Sequence, residues 1–446
     1  MELLLLLLGL VSVVSALDTI SVTGKKFFTS NGTQFFIKGV AYQLSPDDAF
    51  NTTVQCQADA KKLQELGANV IRSYRVNPFH DHSGCIQAFE DAGIYIIIDL
   101  QNPSYDAYIN EDNPLWNDNI FNYSRTVIDK YANYNNILGF FSANEIITRP
   151  NGTNAAPYVK ASVRDCKAYI KSQGYRDIPI GYAAADISSI RPMLQNFLAC
   201  GDESDSIDFW GLNIYEWCYA ADTNYETSGY RDRTNEIMDL PIPAFFSEFG
   251  CNTIEPRTFD DIPILLGPEM DNEWSGGIVY EWLEESNNYG IVSYTTQATN
   301  STAATPIPIQ PDFNNLQGVW ANSTPTGVSS ADYTPTVTSI ACPAMVSGTW
   351  NVNASEPLPP SPIAGTTTQN WQYMALGSAT PYTASATPTA TATATPTPTG
   401  TSTTTDTKTA KSSSNTKFAA LTFWSAPTVA FFGMALFFFN GIFLVL

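Results

Sequence analysis

The sequence is poor in basic residues and in histidine. Its 446 residues include 22 Lys and Arg against 43 Asp and Glu, and only two His, so the formal net charge is −21. Binding to a nucleic-acid backbone depends on clustered Lys and Arg. We therefore expect neither DNA nor RNA as a partner.

Motifs for metals and dinucleotides are also lacking. The seven Cys form no CxxC pair, and no GxGxxG follows the first strand-like segment. These absences argue against a structural zinc site and against a doubly wound, dinucleotide-binding sheet. The segment His80-Asp81-His82 offers two imidazoles but has no third ligand group nearby in the sequence. We predict no metal site and no cofactor.

The longest apolar runs lie at the two ends of the chain. The first, residues 3–14, is too short to span a bilayer and precedes small residues, which predicts a signal peptide over residues 1–16, although Glu2 stands where a basic residue is expected. The second, residues 429–446, has no basic residue after it. With a small-residue cluster upstream, it predicts a glycosylphosphatidylinositol (GPI) propeptide over 413–446 and attachment at Ser413. A tail-anchored helix is the alternative.

Cysteines and glycosylation sequons indicate an oxidising, secretory environment. The odd number of cysteines predicts disulfides with one thiol left over, and their spacing does not determine the pairing. Seven Asn-x-Ser/Thr sequons suit a glycosylated protein. They begin at Asn31, Asn51, Asn122, Asn151, Asn300, Asn322 and Asn353.

Composition divides the mature chain into three parts. Residues 375–412 are rich in Thr, Ser, Pro and Ala, which predicts a disordered, O-glycosylated stalk. Residues 331–374 are Pro-rich and contain Cys342, and we expect them to pack on the main domain as a C-terminal strap. Residues 17–330 are long enough for one large domain.

Strand-like and helix-like segments alternate through residues 17–330. The strand-like runs, such as "IYIIIDL" and "ILGFFSAN", are short, continuous and rich in Ile, Val and Phe, as strands buried on both faces are. Eight such units predict an α/β fold of the (β/α)8 TIM-barrel type. A doubly wound open sheet is the alternative.

Two glutamates follow strand-like runs that are far apart in the sequence. Glu145 ends "FFSANE" after the fourth run, and Glu248 lies in "FFSEFG" at the seventh. Because the carboxyl ends of barrel strands meet at one mouth, the two carboxyls can form the nucleophile and acid/base pair of a retaining glycosidase. Either one alone could instead be a solvated residue. Further polar or aromatic groups end other runs: Gln43, Arg72, Tyr74, Asp99, Asn144, Tyr215 and Tyr280.

Six segments resemble those of one known family. "GVAYQLS", "DAGIYIIIDL", "FFSANE", "NIYEWC", "FFSEFGC" and "GIVYEW" occur in order at the expected strand ends. They are similar to the fungal GPI-anchored β-1,3-glucanosyltransferases of glycoside hydrolase family 72. The resemblance extends from the signal peptide to the anchor. This chain has too few cysteines for the Cys-rich module that follows the barrel in some members.

The resemblance implies roles for particular residues. Glu145 would be the acid/base, Glu248 the nucleophile and Tyr215 a hydrogen-bond donor to the nucleophile. Asn144 would contact the sugar 2-hydroxyl. The remaining implied substrate-binding residues are Gln43, its neighbour Tyr42, Tyr74, Asp99 and Tyr280.

The resemblance also implies the disulfides. It pairs Cys56 with Cys85, Cys218 with Cys251 and Cys200 with Cys342, the last of which would tie the strap to the barrel. Cys166 would remain a buried free thiol.

These inferences predict a retaining β-1,3-glucanosyltransferase that elongates cell-wall glucan. We expect it to be monomeric, to reach the cell surface and to be held by a GPI lipid at the outer leaflet of the plasma membrane or in the wall. The reaction requires Glu248 ionised and Glu145 protonated, so we expect a hydrogen bond from Tyr215 to favour the charged form of Glu248. The alternatives are an endo-β-1,3-glucanase and a non-catalytic glucan-binding wall glycoprotein.

Overall fold

The computed structural model describes residues 17–50, 52–218, 223–296 and 298–362. The predicted signal peptide, the sequon at Asn51, the stalk and the GPI propeptide with Ser413 lie outside the described residues, as does the part of the strap beyond residue 362. Within the described ranges, no helix has both the length and the apolar character that crossing a bilayer requires.

Eight parallel strands close into a barrel, as the alternation of segments predicted. Barrel strands that are neighbours in sequence are neighbours in space, and the last barrel strand pairs with the first to close the barrel. All eight are almost fully buried because side chains fill the barrel and helices cover its outside. The strands are β4 (Ile37–Ala41), β5 (Val70–Ser73), β6 (Tyr95–Asp99), β7 (Ile137–Asn144), β8 (Ile180–Ala185), β9 (Phe209–Asn213), β10 (Ala244–Phe249) and β11 (Trp274–Val279).

A helix follows each barrel strand, and local signals fix its ends. In the first helix, the Thr52 side chain accepts from the backbone N–H of Gln55, and Gly67, with φ of 94°, ends the helix in the left-handed conformation that glycine adopts without strain. The helices are α1 (Thr53–Leu66), α2 (Ser83–Asp91), α3 (Asp118–Tyr131), α4 (Ala156–Ser172), α5 (Arg191–Ala199), α6 (Tyr230–Ile237), α7 (Ile262–Leu265) and α8 (Asp312–Asn322). Two short strands, β12 (Val292–Ser293) and β13 (Ile307–Pro308), pair between β11 and α8.

A small antiparallel sheet precedes the barrel and was not predicted from the sequence. It consists of β1 (Ile20–Thr23), β2 (Lys26–Thr29) and β3 (Gln34–Phe35). Phe27 is fully buried, with its ring 5.9 Å from that of Phe209 and 6.1 Å from that of Phe245. The sheet thus packs against the amino-terminal end of the barrel interior, which leaves the opposite end for the site.

The described part of the C-terminal strap contacts the barrel helices. The buried ring of Trp350 lies 5.6 Å from that of Phe197 on α5. Arg164 Nη2 on α4 donates to the carbonyl oxygen of Pro359 at 2.9 Å. A disulfide between Cys200 and Cys342 adds a covalent link.

The other two disulfides join Cys56 to Cys85 and Cys218 to Cys251. All three pairs are those that the family resemblance implied. Cys166 is a buried free thiol, and burial raises its pKa. Among the sequon asparagines in the described ranges, Asn122 is partly buried in α3 and the others are exposed.

Candidate active site

Both predicted catalytic glutamates lie at the carboxyl end of the barrel. Glu248 is the fifth residue of β10 and is 3% exposed. Glu145 directly follows β7 with φ of 48°, and its backbone N–H donates to the carbonyl oxygen of Ala183 at 2.8 Å. A glutamate in the left-handed region is uncommon, and such backbone strain clusters at functional sites.

Three donors surround the carboxylate of Glu248. The hydroxyl of Tyr74 donates to Oε1 at 2.9 Å, and that of Tyr215 donates to Oε2 at 3.1 Å. Arg72 Nη1 lies 3.4 Å from Oε1. These contacts orient both oxygens and favour the charged form of the carboxyl.

Arg72 connects four strands of the barrel. Its guanidinium pairs with Asp99 through two bonds of 3.1 and 2.9 Å, and Nη2 also donates to Asn144 Oδ1 at 2.8 Å. Its planar group lies 4.4 Å from the ring centre of Tyr74 and 4.3 Å from that of Phe141. Both carboxylate oxygens of Asp99, which the family resemblance assigned to substrate binding, thus pair with a buried cation.

The second catalytic glutamate, Glu145, accepts a hydrogen bond from the side-chain amide of Asn213. Asn213 Nδ2, at the end of β9, donates to Glu145 Oε1 at 2.9 Å and to Asn144 Oδ1 at 3.1 Å. Asn213 Oδ1 accepts from the hydroxyl of Ser247 at 2.7 Å, which fixes the amide orientation. Asn213 was not among the residues predicted from the sequence, although it lies in the segment "NIYEWC" and ends a barrel strand.

Burial raises the pKa of both carboxyls. The pKa of Glu248 rises to about 8, because desolvation and the nearby Glu145 charge outweigh the opposing effects of Arg72, Tyr74 and Tyr215. The pKa of Glu145 rises through burial, opposed by Asn213 and Arg72. The hydrogen bond from Tyr215 favours the charged form of Glu248, as expected from the sequence, but burial outweighs it.

The pair titrates jointly, so the neighbours decide which carboxyl holds a shared proton. Glu248 has a guanidinium and two hydroxyls as donors, whereas Glu145 has a single side-chain amide. We therefore place the charge on Glu248 and the proton on Glu145. This is the assignment that a nucleophile and an acid require.

Four tyrosines form a continuous aromatic group around Glu248. Tyr74 lies 6.4 Å from Tyr280, Tyr280 lies 5.4 Å from Tyr289, and Tyr289 lies 5.7 Å from Tyr215, measured between ring centres. Tyr289, in the segment after β11, was not among the predicted residues. Tyrosine rings present apolar faces and a polar edge, a combination that suits sugar rings.

Tyr42 and Gln43 directly follow the first barrel strand, and their side chains point to opposite sides of the extended chain. Gln43 Oε1 accepts from the backbone N–H groups of Tyr74 and Arg75 at 3.1 and 3.0 Å, next to the site. Tyr42 is fully buried, and its hydroxyl donates to Asp59 Oδ2 at 2.8 Å, outside the barrel on α1. The assignment of Tyr42 to substrate binding is wrong, because successive side chains of a strand point to opposite faces.

An eight-stranded parallel barrel with two glutamates at its mouth is the arrangement expected of a glycoside hydrolase domain. A family model described as Glucanosyltransferase, of glycoside hydrolase family 72, matches residues 10–324. The chain therefore belongs to the glucanosyltransferase family.

Similar proteins of known name support membership of the glucanosyltransferase family. The chain is 43% identical to Protein EPD1 of Candida maltosa over 355 residues, covering 78% of this chain and 62% of that protein. It is 40% identical to the 1,3-beta-glucanosyltransferase gas1 of Schizosaccharomyces pombe over 365 residues, covering 79% and 65%. The chain thus spans slightly less than two thirds of the length of these two relatives.

A solved structure has the same fold. A glutamate-to-glutamine mutant of Saccharomyces cerevisiae Gas2p, in complex with laminaritetraose and laminaripentaose, superposes with a TM-score of 0.69 at 38% identity. The match covers 78% of this chain and 75% of that chain.

Proposed function

We propose that this protein is a retaining β-1,3-glucanosyltransferase that cuts a β-1,3-glucan chain and joins the retained part to another glucan. The observation that carries the proposal is the unequal support of the two glutamates. Glu248 accepts from one cation and two hydroxyls, and Glu145 accepts from one amide. The family membership and the laminari-oligosaccharide complex of Gas2p support the substrate class.

The first step forms a covalent glycosyl ester. A carboxylate oxygen of Glu248 attacks the anomeric carbon and the bond from that carbon to the glycosidic oxygen breaks, while Glu145 gives its proton to the departing oxygen. Arg72 and the two tyrosine hydroxyls hold the attacking carboxylate in one orientation. As the ester forms, the negative charge of Glu248 disappears.

In the second step Glu145 acts as a base. It takes the proton from the 3-hydroxyl of an incoming glucan, whose oxygen displaces Glu248 and forms a new β-1,3 bond. Water in place of that hydroxyl gives hydrolysis. Transfer prevails only where the acceptor sugar is held in position, and the four-tyrosine group offers faces on which it can stack.

We also propose where the enzyme acts. The apolar ends of the chain and the small-residue cluster before the second one support secretion and attachment to a GPI lipid at Ser413. The enzyme then works as a monomer at the outer face of the plasma membrane or in the wall, on glucan donor and acceptor chains.

A product assay tests the activity. Purified protein is incubated with a reduced β-1,3-oligoglucan, and the products are separated by chain length. Transfer yields products longer than the substrate. A product set containing only shorter chains would identify an endo-β-1,3-glucanase, and no turnover at all would identify a non-catalytic glucan-binding protein. Glu145→Gln and Tyr42→Phe serve as paired controls, since only the first should abolish product formation.

A further inference from the structure

The only two histidines of the chain both lie within hydrogen-bond distance of one carboxylate, that of Asp48. His80 Nδ1 and His82 Nε2 each lie 3.0 Å from Asp48 Oδ2. One ligand atom from each of these three residues lies within 4.8 Å of the other two. Asp48 belongs to the loop after β4 and the two histidines to the loop after β5. The third ligand group, which is not near the histidines in the sequence, therefore comes from another loop.

We propose that Asp48, His80 and His82 form a binding site for a divalent transition-metal ion that links these two loops. Two imidazole nitrogens and one carboxylate oxygen suit Zn²⁺, Cu²⁺ or Ni²⁺, whereas Mg²⁺ and Ca²⁺ prefer oxygen ligands alone. With neutral imidazoles the ligands carry one negative charge. The chain's net charge of −21 further favours a cation.

The spacing of the ligand atoms fits such an ion. Metal bonds of about 2.0–2.1 Å in a tetrahedral site place neighbouring ligand atoms about 3.4 Å apart. The two observed separations of 3.0 Å would have to widen by only a few tenths of an ångström. Three protein ligands leave the fourth coordination position of a tetrahedral ion for water. The His80 side chain is 63% exposed, so solvent reaches the site.

In two of the three proposed ligands, the atom that would not bind the metal already makes a hydrogen bond. A histidine that binds a metal through one nitrogen donates the N–H of its other nitrogen to an acceptor. His82 is 2% exposed, and its Nδ1 lies 2.5 Å from the hydroxyl of Tyr131, which can accept. The other carboxylate oxygen of Asp48, Oδ1, accepts from the backbone N–H of Phe50 at 3.3 Å.

His80 needs one rearrangement. Its Nε2 lies 3.1 Å from the Asn77 amide nitrogen, which is a donor. Binding a metal through Nδ1 moves the proton to Nε2, so this contact must give way to water. The exposed position of the ring permits that change.

Because the chain has only two histidines, imidazole coupling in a Cu²⁺ spectrum can be assigned to His80 and His82. Cu²⁺ is titrated into untagged, chelator-treated full-length protein, with calorimetry for stoichiometry and electron paramagnetic resonance for the ligand atoms. We expect one ion per chain at micromolar affinity, with coupling to two nitrogens. His80→Gln, at an exposed position, should remove one nitrogen and weaken binding by about tenfold or more. Zn²⁺ should protect His80 from diethylpyrocarbonate and raise Tm.

Asp81 supplies the matched control. It lies between the two histidines, is exposed and accepts from the backbone N–H of Ser83 at 3.0 Å. Asp48→Asn and Asp81→Asn change the charge equally, but only Asp48→Asn should weaken binding. Circular dichroism checks that each variant is folded. Binding weaker than millimolar, a spectrum without nitrogen coupling, or equal affinity in folded His80→Gln would overturn the proposal.

Discussion

The guanidinium of Arg72 lies 3.4 Å from the carboxylate of Glu248, and both groups are buried. The same guanidinium binds Asn144, whose amide oxygen also accepts from Asn213, and Asn213 holds Glu145. A chain of side chains thus connects the two glutamates.

Replacing Arg72 with lysine should impair catalysis although the charge is kept. Lysine is a point charge and cannot reproduce the two-bond contact with Asp99 while also reaching Glu248 and Asn144. We expect kcat on β-1,3-oligoglucan to fall by about 10²-fold or more. Arg164→Lys is the control, since Arg164 pairs with Asp165 on α4, and it should retain activity.

The two glutamates should respond differently to a donor with a good leaving group. Fluoride needs no proton to depart, so laminaribiosyl fluoride bypasses the acid. Glu145→Gln should use this donor far better than β-1,3-oligoglucan, whereas Glu248→Gln should use neither. Comparable loss with both donors in Glu145→Gln would remove Glu145 as the acid. Fluoride release in the first turnover provides the comparison, because Glu145 also acts as the base of the second step.

Asn213→Ala should impair the acid step specifically. Without the amide, Glu145 loses its side-chain donor and Asn144 loses one of two partners. We expect kcat for β-1,3-oligoglucan to drop by about 10-fold or more, with a smaller effect on the fluoride donor. An equal loss with both donors would indicate a general structural role instead.

Glu248→Gln should stabilise the fold, and more so at higher pH. Burial raises the pKa of Glu248 to about 8, whereas that of an unfolded glutamate is about 4.3. Between these values the unfolded chain has lost a proton that the native pair of Glu145 and Glu248 still shares, so stability falls as pH rises. Glutamine at position 248 removes the second carboxyl of the pair, and with it most of this loss of stability. Calorimetry should show the variant's Tm advantage growing from about pH 4.5 to pH 8 and then levelling, and an advantage independent of pH would contradict the account.

The link between Cys200 and Cys342 should stabilise the barrel. It closes a loop with a sequence separation of 142 residues. Such a large loop is worth about 3–5 kcal/mol of unfolding free energy in the chain-entropy model. The double variant Cys200→Ala/Cys342→Ala should lose that amount in urea unfolding without reductant. Cys166→Ala leaves all three disulfides intact and should lose about 1 kcal/mol or slightly more.

Sequence patterns predicted the barrel strands and the residues that stand at their carboxyl ends. Runs of Ile, Val and Phe revealed the barrel, and the residues at their carboxyl ends gave Glu145, Glu248, Tyr74, Tyr215 and Tyr280. Tyr42 was assigned wrongly because one residue's shift along a strand reverses the direction of its side chain. The alternation itself could have corrected that assignment.

Features that depend on contacts between distant segments were not predictable. Arg72 was noted as a strand-end group, but its partners come from several strands and no local pattern combines them. An asparagine at the end of a strand carries no signature of its own, so Asn213 was missed. The pKa of Glu248 depends on the balance between burial and three donors, and a sequence reveals neither amount. Asp48 likewise lies 32 residues from His80.

The most direct test of the central claim is to trap the glycosyl ester. A 2-deoxy-2-fluoro laminaribiosyl fluoride slows both steps but leaves the first feasible, so the ester accumulates and can be located by peptide mass spectrometry. The account predicts one sugar adduct per chain on Glu248, formed in the wild type and absent in Glu248→Gln. An adduct on Glu145 or on any other residue would contradict it.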